Sequence, residues 1–434
     1  MSRQFSRRSL LQTAGCAPAL AASAPPAAAA PPPAGGKPYS IFITFAWSFS
    51  NIGDIAITPG ILRLLQKHIP NHEPIVVTNS SFEQHRQYLS PRFPKCRVFN
   101  TPFASPQPRP ADFMEAFNNA DMLLYNSGTV LSYGRWDRDW NRTMRFALPL
   151  IMAREAGKPY GVYCQSFDPI QPPAEILMAP LLSGARFVFA RDGESLKYIK
   201  RLGVKAPIME FGPDATFGFD QNDDAFADQF LARYRLEPRK FISVVVRTKI
   251  QGFLDDQREQ LHARKMREII TQSVESSGEP VLICPEVVHE IEPARRLLYE
   301  PLPDAVKQKV RFQTEFWSPD QARSVFARAR VHVSMDMHSV IMALAAGTPV
   351  LHPRFVEAGI KAWMLRDLGL EDWLFDIDRQ PSSAVSSKLV EIRADYPAAL
   401  ARVKSARAIV ERRQAETMAI VRQTLEDARR SRRS

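Results

Sequence analysis

The chain has 434 residues, 45% of them hydrophobic and 24% charged, a composition that suits a globular protein of two domains and excludes a collagenous, disordered or multi-span membrane chain. Its 57 basic and 46 acidic side chains leave a formal charge of +11. Arg3, Arg7, Arg8, Arg429, Arg430, Arg432 and Arg433 sit at the two ends, so the body keeps only about +4 and lacks the basic stripe that a nucleic-acid partner needs.

Residues 1–36 carry no acidic side chain and run from a basic start through a short Leu/Ala stretch into small residues and prolines. That order describes an export signal. Ser6-Arg7-Arg8-Ser9-Leu10-Leu11 is similar to the twin-arginine type, which sends folded proteins across the inner membrane, so a periplasmic or extracellular location is expected. Cleavage is expected near residues 22–24 or 27–30. Cys16 leaves with the leader, and Cys96, Cys164 and Cys284 are too few and too far apart for a disulfide framework or a zinc knot. Beyond the leader no run approaches the ~18 apolar residues of a membrane span, and no transmembrane segment is expected in the mature chain.

From Tyr39 onward, buried-strand runs alternate with amphipathic helices. Strands are expected at 40–47, 74–79, 122–125, 160–165, 187–190 and 210–213, with helices at 57–68, 111–119, 143–156 and 194–202. The polar stretch 219–240 reads as a domain boundary, after which the rhythm restarts. Strands are then expected at 241–248, 280–285, 331–335 and 348–352, and helices at 257–277, 319–329 and 339–346. Beyond Pro381 the chain reads as helical, with Leu400, Val403, Val410, Met418, Val421 and Leu425 on one face and the last six residues frayed. Alternation of this kind implies parallel sheets covered by helices on both faces. The expected architecture is two doubly wound, Rossmann-like α/β domains facing a cleft, at 37–225 and 238–385, followed by a helical segment and basic tail at 386–434.

In such sheets the ligand crevice lies outside the carboxyl ends of the strands, which directs attention to four loops. Asn51-Ile52-Gly53-Asp54 follows the first strand and opens a helix, whose N–H groups could hold an anion; a tight turn capped by a side chain is the plainer alternative. Asn126-Ser127-Gly128-Thr129 is built of small residues that let a ligand or the opposite domain come close at Gly128. Arg191-Asp192 leaves a strand end as a helix begins, where Arg191 could fork onto a carboxylate or phosphate. In the fourth loop Asp336 and His338 stand between a strand and a helix, where an imidazole can act as a general acid toward a leaving group or an acceptor hydroxyl. No metal centre and no cofactor are expected, because neither His332 nor His352 offers a convincing third ligand to Asp336 and His338.

Taken in order, these elements resemble the polysaccharide pyruvyl transferase family: Asn51-Ile52-Gly53-Asp54, Asn126-Ser127-Gly128, Arg191-Asp192-Gly193-Glu194-Ser195, Pro213-Asp214, and His338 followed by Gly347-Thr348-Pro349. The resemblance implies a glycosyltransferase-B-like pair of domains and transfer of an enolpyruvyl-derived group from phosphoenolpyruvate, or another anionic donor, to a glycan acceptor. It also implies that Arg191 holds the donor's anionic group, that His338 is an acid or donor ligand, and that Lys361 is the family's later lysine near the cleft. Asp336 departs from the pattern, since members carry Arg two residues before the histidine. A carboxylate beside a trianionic donor reverses the sign of a contact on the order of several kcal/mol, and phosphoenolpyruvate is a cytoplasmic metabolite. Both points lead to the expectation that the donor is neutral or absent at Asp336. The chain is therefore expected to be an exported enzyme of this type acting on a cell-envelope or extracellular glycan. A glycosyltransferase-B-type transferase with another donor and a non-catalytic glycan-binding protein are the alternatives.

Overall fold

A computed structural model describes residues 36–100, 109–134, 138–248 and 254–432; the leader lies outside the described residues. Seven strands form the first sheet: β1 (Tyr39–Ala46), β2 (His72–Thr78), β3 (Arg97–Phe99), β4 (Met122–Tyr125), β5 (Tyr160–Gln165), β6 (Val188–Ala190) and β7 (Met209–Phe211). Six form the second: β8 (Ile242–Val245), β9 (Val281–Ile283), β10 (Val310–Phe312), β11 (Val331–Ser334), β12 (Val350–Arg354) and β13 (Leu374–Asp376). Every pairing is parallel, with Ile43 opposite both Val76 and Leu124 and Val244 opposite both Ile283 and Val333. The orders are β3-β2-β1-β4-β5-β6-β7 and β10-β9-β8-β11-β12-β13. Both sheets therefore reverse direction beside their first strand, at β1/β4 and at β8/β11, and that is where a doubly wound sheet opens its crevice. These are two parallel-sheet α/β domains.

The strand runs are apolar on both faces because helices cover both, and β1, β4, β5 and β8 are almost wholly buried. Two hydrophobic cores result, and each borrows from the other domain. Ile52 and Ala56, on the helix Ile52–His68 that follows β1, pack into the second core. Met418, Val421 and Leu425, near the end of the helix Tyr396–Ser431, pack into the first. Full burial of a side chain such as Ile52 is worth about 2 kcal/mol, so both crossings help hold the halves together.

Three expectations need correction. The polar 219–240 stretch is not mere linker: it contains the helix Asp224–Tyr234, started by the Asp223 side chain accepting from Phe226 N and anchored by Ala227, Phe230 and Leu231. Leu400 turns outward, 37% exposed, while Ala399 and Val403 carry the buried face. The tail is not frayed at Arg429, which lies in the helix, pairs with Asp121 at 2.8 Å and donates to the carbonyls of Lys37 and Pro38; Arg432 reaches the Ala120 carbonyl at 2.9 Å. Among the described residues no helix is long and apolar enough to cross a membrane.

Candidate active site

The helix Ile52–His68 begins where β1 ends, and Asn51 caps it. The Asn51 side chain accepts from Gly53 N at 2.7 Å and from Asp54 N at 3.3 Å, a cap worth about 1 kcal/mol. Ile52 N donates to the Glu286 carbonyl at 3.0 Å, and Val288 N to the Ser50 carbonyl at 2.9 Å. The loop thus forms a short antiparallel bridge, Asn51 to Val287, with the segment that follows β9 in the other domain. The helix-end N–H groups that sequence considerations offered to an anion are consumed by the chain's own cap and bridge.

That bridge brings the first helix end against a second one. The helix Met337–Ala345 follows β11 and is capped by Asp336, which puts His338 in its first turn. A Cβ added to Gly53 would overlap Cβ and Cγ of His338, so only glycine lets the helices approach this far. His338 is buried, with Nδ1 3.6 Å from Glu286 Oε1, and neither ring nitrogen has a hydrogen-bond partner.

Asp336 faces two cations. Its Oδ2 accepts from Arg247 Nη1 at 2.8 Å, Lys361 Nζ stands 3.5 Å from Oδ1, and Oδ1 accepts from Met337 N at 2.8 Å. Burial works to raise the Asp336 pKa, but Lys361 and Arg247 together outweigh it and hold the carboxyl far below the ordinary carboxylate range. Glu286, three residues past the end of β9, accepts from Ser339 N at 2.8 Å through Oε2. Burial, reinforced by the Asp336 charge, pushes the Glu286 pKa up. Burial also raises Asp54, against the pull of His338 and Lys361, and raises Glu290, which accepts from Thr248 N at 3.0 Å and lies 3.7 Å from Arg247 Nε.

Arg191 lies at the end of β6 and is 1% exposed. It donates to Asp214 and, through Nε, to Ser166 Oγ at 2.8 Å. Burial alone would raise the Asp214 pKa, but Arg191 and His338 lower it below the usual value. The Arg191 charge is thus engaged by the Asp214 carboxylate, which also feels the charge of His338. Asp192 caps the next helix through Ser195 N at 2.7 Å. Gly128 packs elsewhere: a Cβ there would stand 2.9 Å from the Trp47 ring and 3.0 Å from Gln165 Nε2, so it lets β1, β4 and β5 close over one another.

Asn51, Gly53, Asp54, Asp336, His338 and Lys361 are thus brought together at the junction of the two crevices, with Arg191 reaching it through Asp214. Arg354, a further cation of this region, instead pairs with Asp376 at 3.8 Å and stacks on Trp363. His332 and His352 are engaged inside the sheet, by Ser243 Oγ at 2.8 Å and the Ser334 carbonyl at 2.6 Å. Sequence considerations missed Arg247 and Glu286, although both stand just past strand ends, where the rule used for the other loops would have found them. A cavity of about 610 Å³ lies on the far side, against Lys158, Arg186, Gln423 and Arg432. It lies between the last helix and the residues that precede β5, β6 and β7, the wrong end of a parallel sheet for chemistry.

Solved structures with the same arrangement include the HepE protein of Anabaena in complex with UDP-glucose, at 12% identity over 89% of this chain and 98% of that one, TM-score 0.56. The UDP-GlcNAc 2-epimerase of Neisseria meningitidis bound to UDP-GlcNAc matches at 12% identity over 89% and 99%, TM-score 0.53. A UDP-glucose:anthocyanidin 3-O-glucosyltransferase in complex with UDP matches at 12% over 90% and 100%, TM-score 0.53. None of the curated protein sequences matches. At this identity the likeness shows the fold, which is of the glycosyltransferase-B type. Within that class, residues 51–352 match the model of the polysaccharide pyruvyl transferases, and the chain belongs to that family. Family and fold together support a glycan-modifying transferase.

Proposed function

We propose that this protein is an exported transferase that moves the pyruvyl group of a phosphoenolpyruvate-like donor onto hydroxyls of a cell-envelope or extracellular glycan, with phosphate as the leaving group. The observation that carries the reading is the meeting of two helix ends, one from each crevice, on a histidine whose ring nitrogens make no hydrogen bond and whose Nδ1 faces Glu286 Oε1 at 3.6 Å. Such an imidazole can exchange a proton with an acceptor hydroxyl or a leaving group. The objection that Asp336 would repel an anionic donor is met by its pairing with Arg247 and Lys361, which neutralise it. Arg191 supports the site from behind, through Asp214. The Arg-Arg leader supports export.

The test is to incubate the mature protein with envelope glycan and phosphoenolpyruvate and to look for an acid-labile mass gain on the glycan. His338→Ala should abolish the gain and leave glycan binding intact. Glycan binding by the wild type without any gain would instead identify a binding module.

A further inference from the structure

We infer that Glu286, Asp336 and His338 form a binding site for one divalent transition-metal ion of the Mn²⁺ or Zn²⁺ kind. The three residues come from two strand ends, β9 and β11, and one donor atom from each lies within 4.8 Å of the others. An ion with bonds of about 2.1 Å needs donors roughly 3 to 4 Å apart, so the set closes on an ion with a shift of about an ångström or less. The independent sign is what these atoms lack. Glu286 is 1% exposed and His338 6%, yet Glu286 Oε1 and His338 Nδ1 face each other at 3.6 Å, too far for a hydrogen bond, and neither these atoms nor His338 Nε2 has a hydrogen-bond partner, whereas buried polar atoms are nearly always satisfied. Glu286 Oε2 is fixed by Ser339 N and Asp336 Oδ1 by Met337 N. The carboxylates are thus oriented from behind, as ligands in metal sites usually are.

One imidazole with two carboxylates suits Mn²⁺, Fe²⁺ or Zn²⁺ better than the all-oxygen cations. Arg247 occupies one lone pair of Asp336 Oδ2, and a carboxylate oxygen has another to give. Lys361 is the competitor, since its Nζ stands 3.5 Å from Oδ1 of the same carboxylate and its charge opposes a cation bound there. The role of the ion rests on the transferase reading: it supplies the positive charge that an anionic donor needs. Its binding does not rest on that reading.

Titration of the metal-stripped full chain with Mn²⁺, and separately with Zn²⁺, followed by calorimetry and by the Mn²⁺ spin signal, tests the site. One ion per chain is expected. Glu286→Gln and His338→Asn should each weaken binding at least tenfold, the scale set by lost ligands and their supports, and Lys361→Met should tighten it by removing the competitor. Circular dichroism on each variant, including Lys361→Met, whose side chain is 19% exposed, separates lost ligands from lost fold. Absence of stoichiometric binding at millimolar ion overturns the inference. So does a folded Glu286 or His338 variant that binds like the wild type, or Lys361→Met without tighter binding. Ion binding without glycan modification would refute the transferase and leave the site standing; modification by a chain that binds no ion would do the reverse.

Discussion

Gly53 lies so close to His338 that one methyl group on it would overlap the root of the imidazole. The two residues belong to helices from different domains, so the contact sets the width of the junction. Gly53→Ala pits two effects against each other. Replacing a helical glycine favours the helix by up to ~1 kcal/mol, while overpacking a closed contact costs about 1–3 kcal/mol. Net destabilisation is expected, read as a lower urea midpoint, together with at least a tenfold loss of transfer on the scale of ångström misplacement. A midpoint that rises would show that the helices are free to part.

Arg191 and Asp214 should behave as one unit. Removing either partner leaves a buried charge alone, at a cost of about 3–5 kcal/mol, so Arg191→Met and Asp214→Asn should each unfold at much lower urea. The double substitution should recover a large part of the loss. An Arg191→Met protein of unchanged stability that binds donor poorly would show instead that the guanidinium serves the ligand alone.

Acid should weaken the fold before most carboxylates titrate. Burial holds His332 down to about 3 and His352 to about 4, from an ordinary 6.5. The native state therefore binds fewer protons than the unfolded chain between these values, and stability rises with pH across that window. It is fully present above about 6.5 and erodes as pH falls toward 4 and then 3, at about 1.4 kcal/mol per unit for each histidine. Urea midpoints from pH 7.5 to 4.5 check this, and His352→Gln should flatten the slope. An unchanged midpoint across that range would count against neutral burial.

The leader should be absent from the working protein. Intact mass of the native protein is expected to show loss of roughly the first 24 to 36 residues, in a fraction outside the cytoplasm. A cytoplasmic protein beginning at Met1 or Ser2 would remove export from the proposed function.

Much of this architecture is legible in the residues themselves, and the reason is burial on both faces. Runs such as Phe42-Ile43 and Leu123-Leu124 have no solvent side to confuse the pattern, and the loops after them stand out as small or charged. The helix Asp224–Tyr234 is hard to see because only Ala227, Phe230 and Leu231 are buried and the rest is polar. Glu286 stands where the strand-end rule looks, but its place beside the histidine depends on the antiparallel bridge between Asn51 and Val287, a pairing across 236 positions of sequence that no local periodicity encodes. Arg247 likewise acquires its meaning only beside Asp336.

The hold of Arg429 on the carbonyls of Lys37 and Pro38 has a geometric consequence for how the protein can be used or displayed. Lys37 precedes β1 and Arg429 closes the last helix, so both ends of the folded body emerge at the amino edge of the first sheet. The histidine junction lies at the carboxyl edge, a strand length of about 25 Å away. A tether, tag or surface attachment at either end should therefore lie on the edge of the first sheet opposite the histidine junction and leave that junction unencumbered.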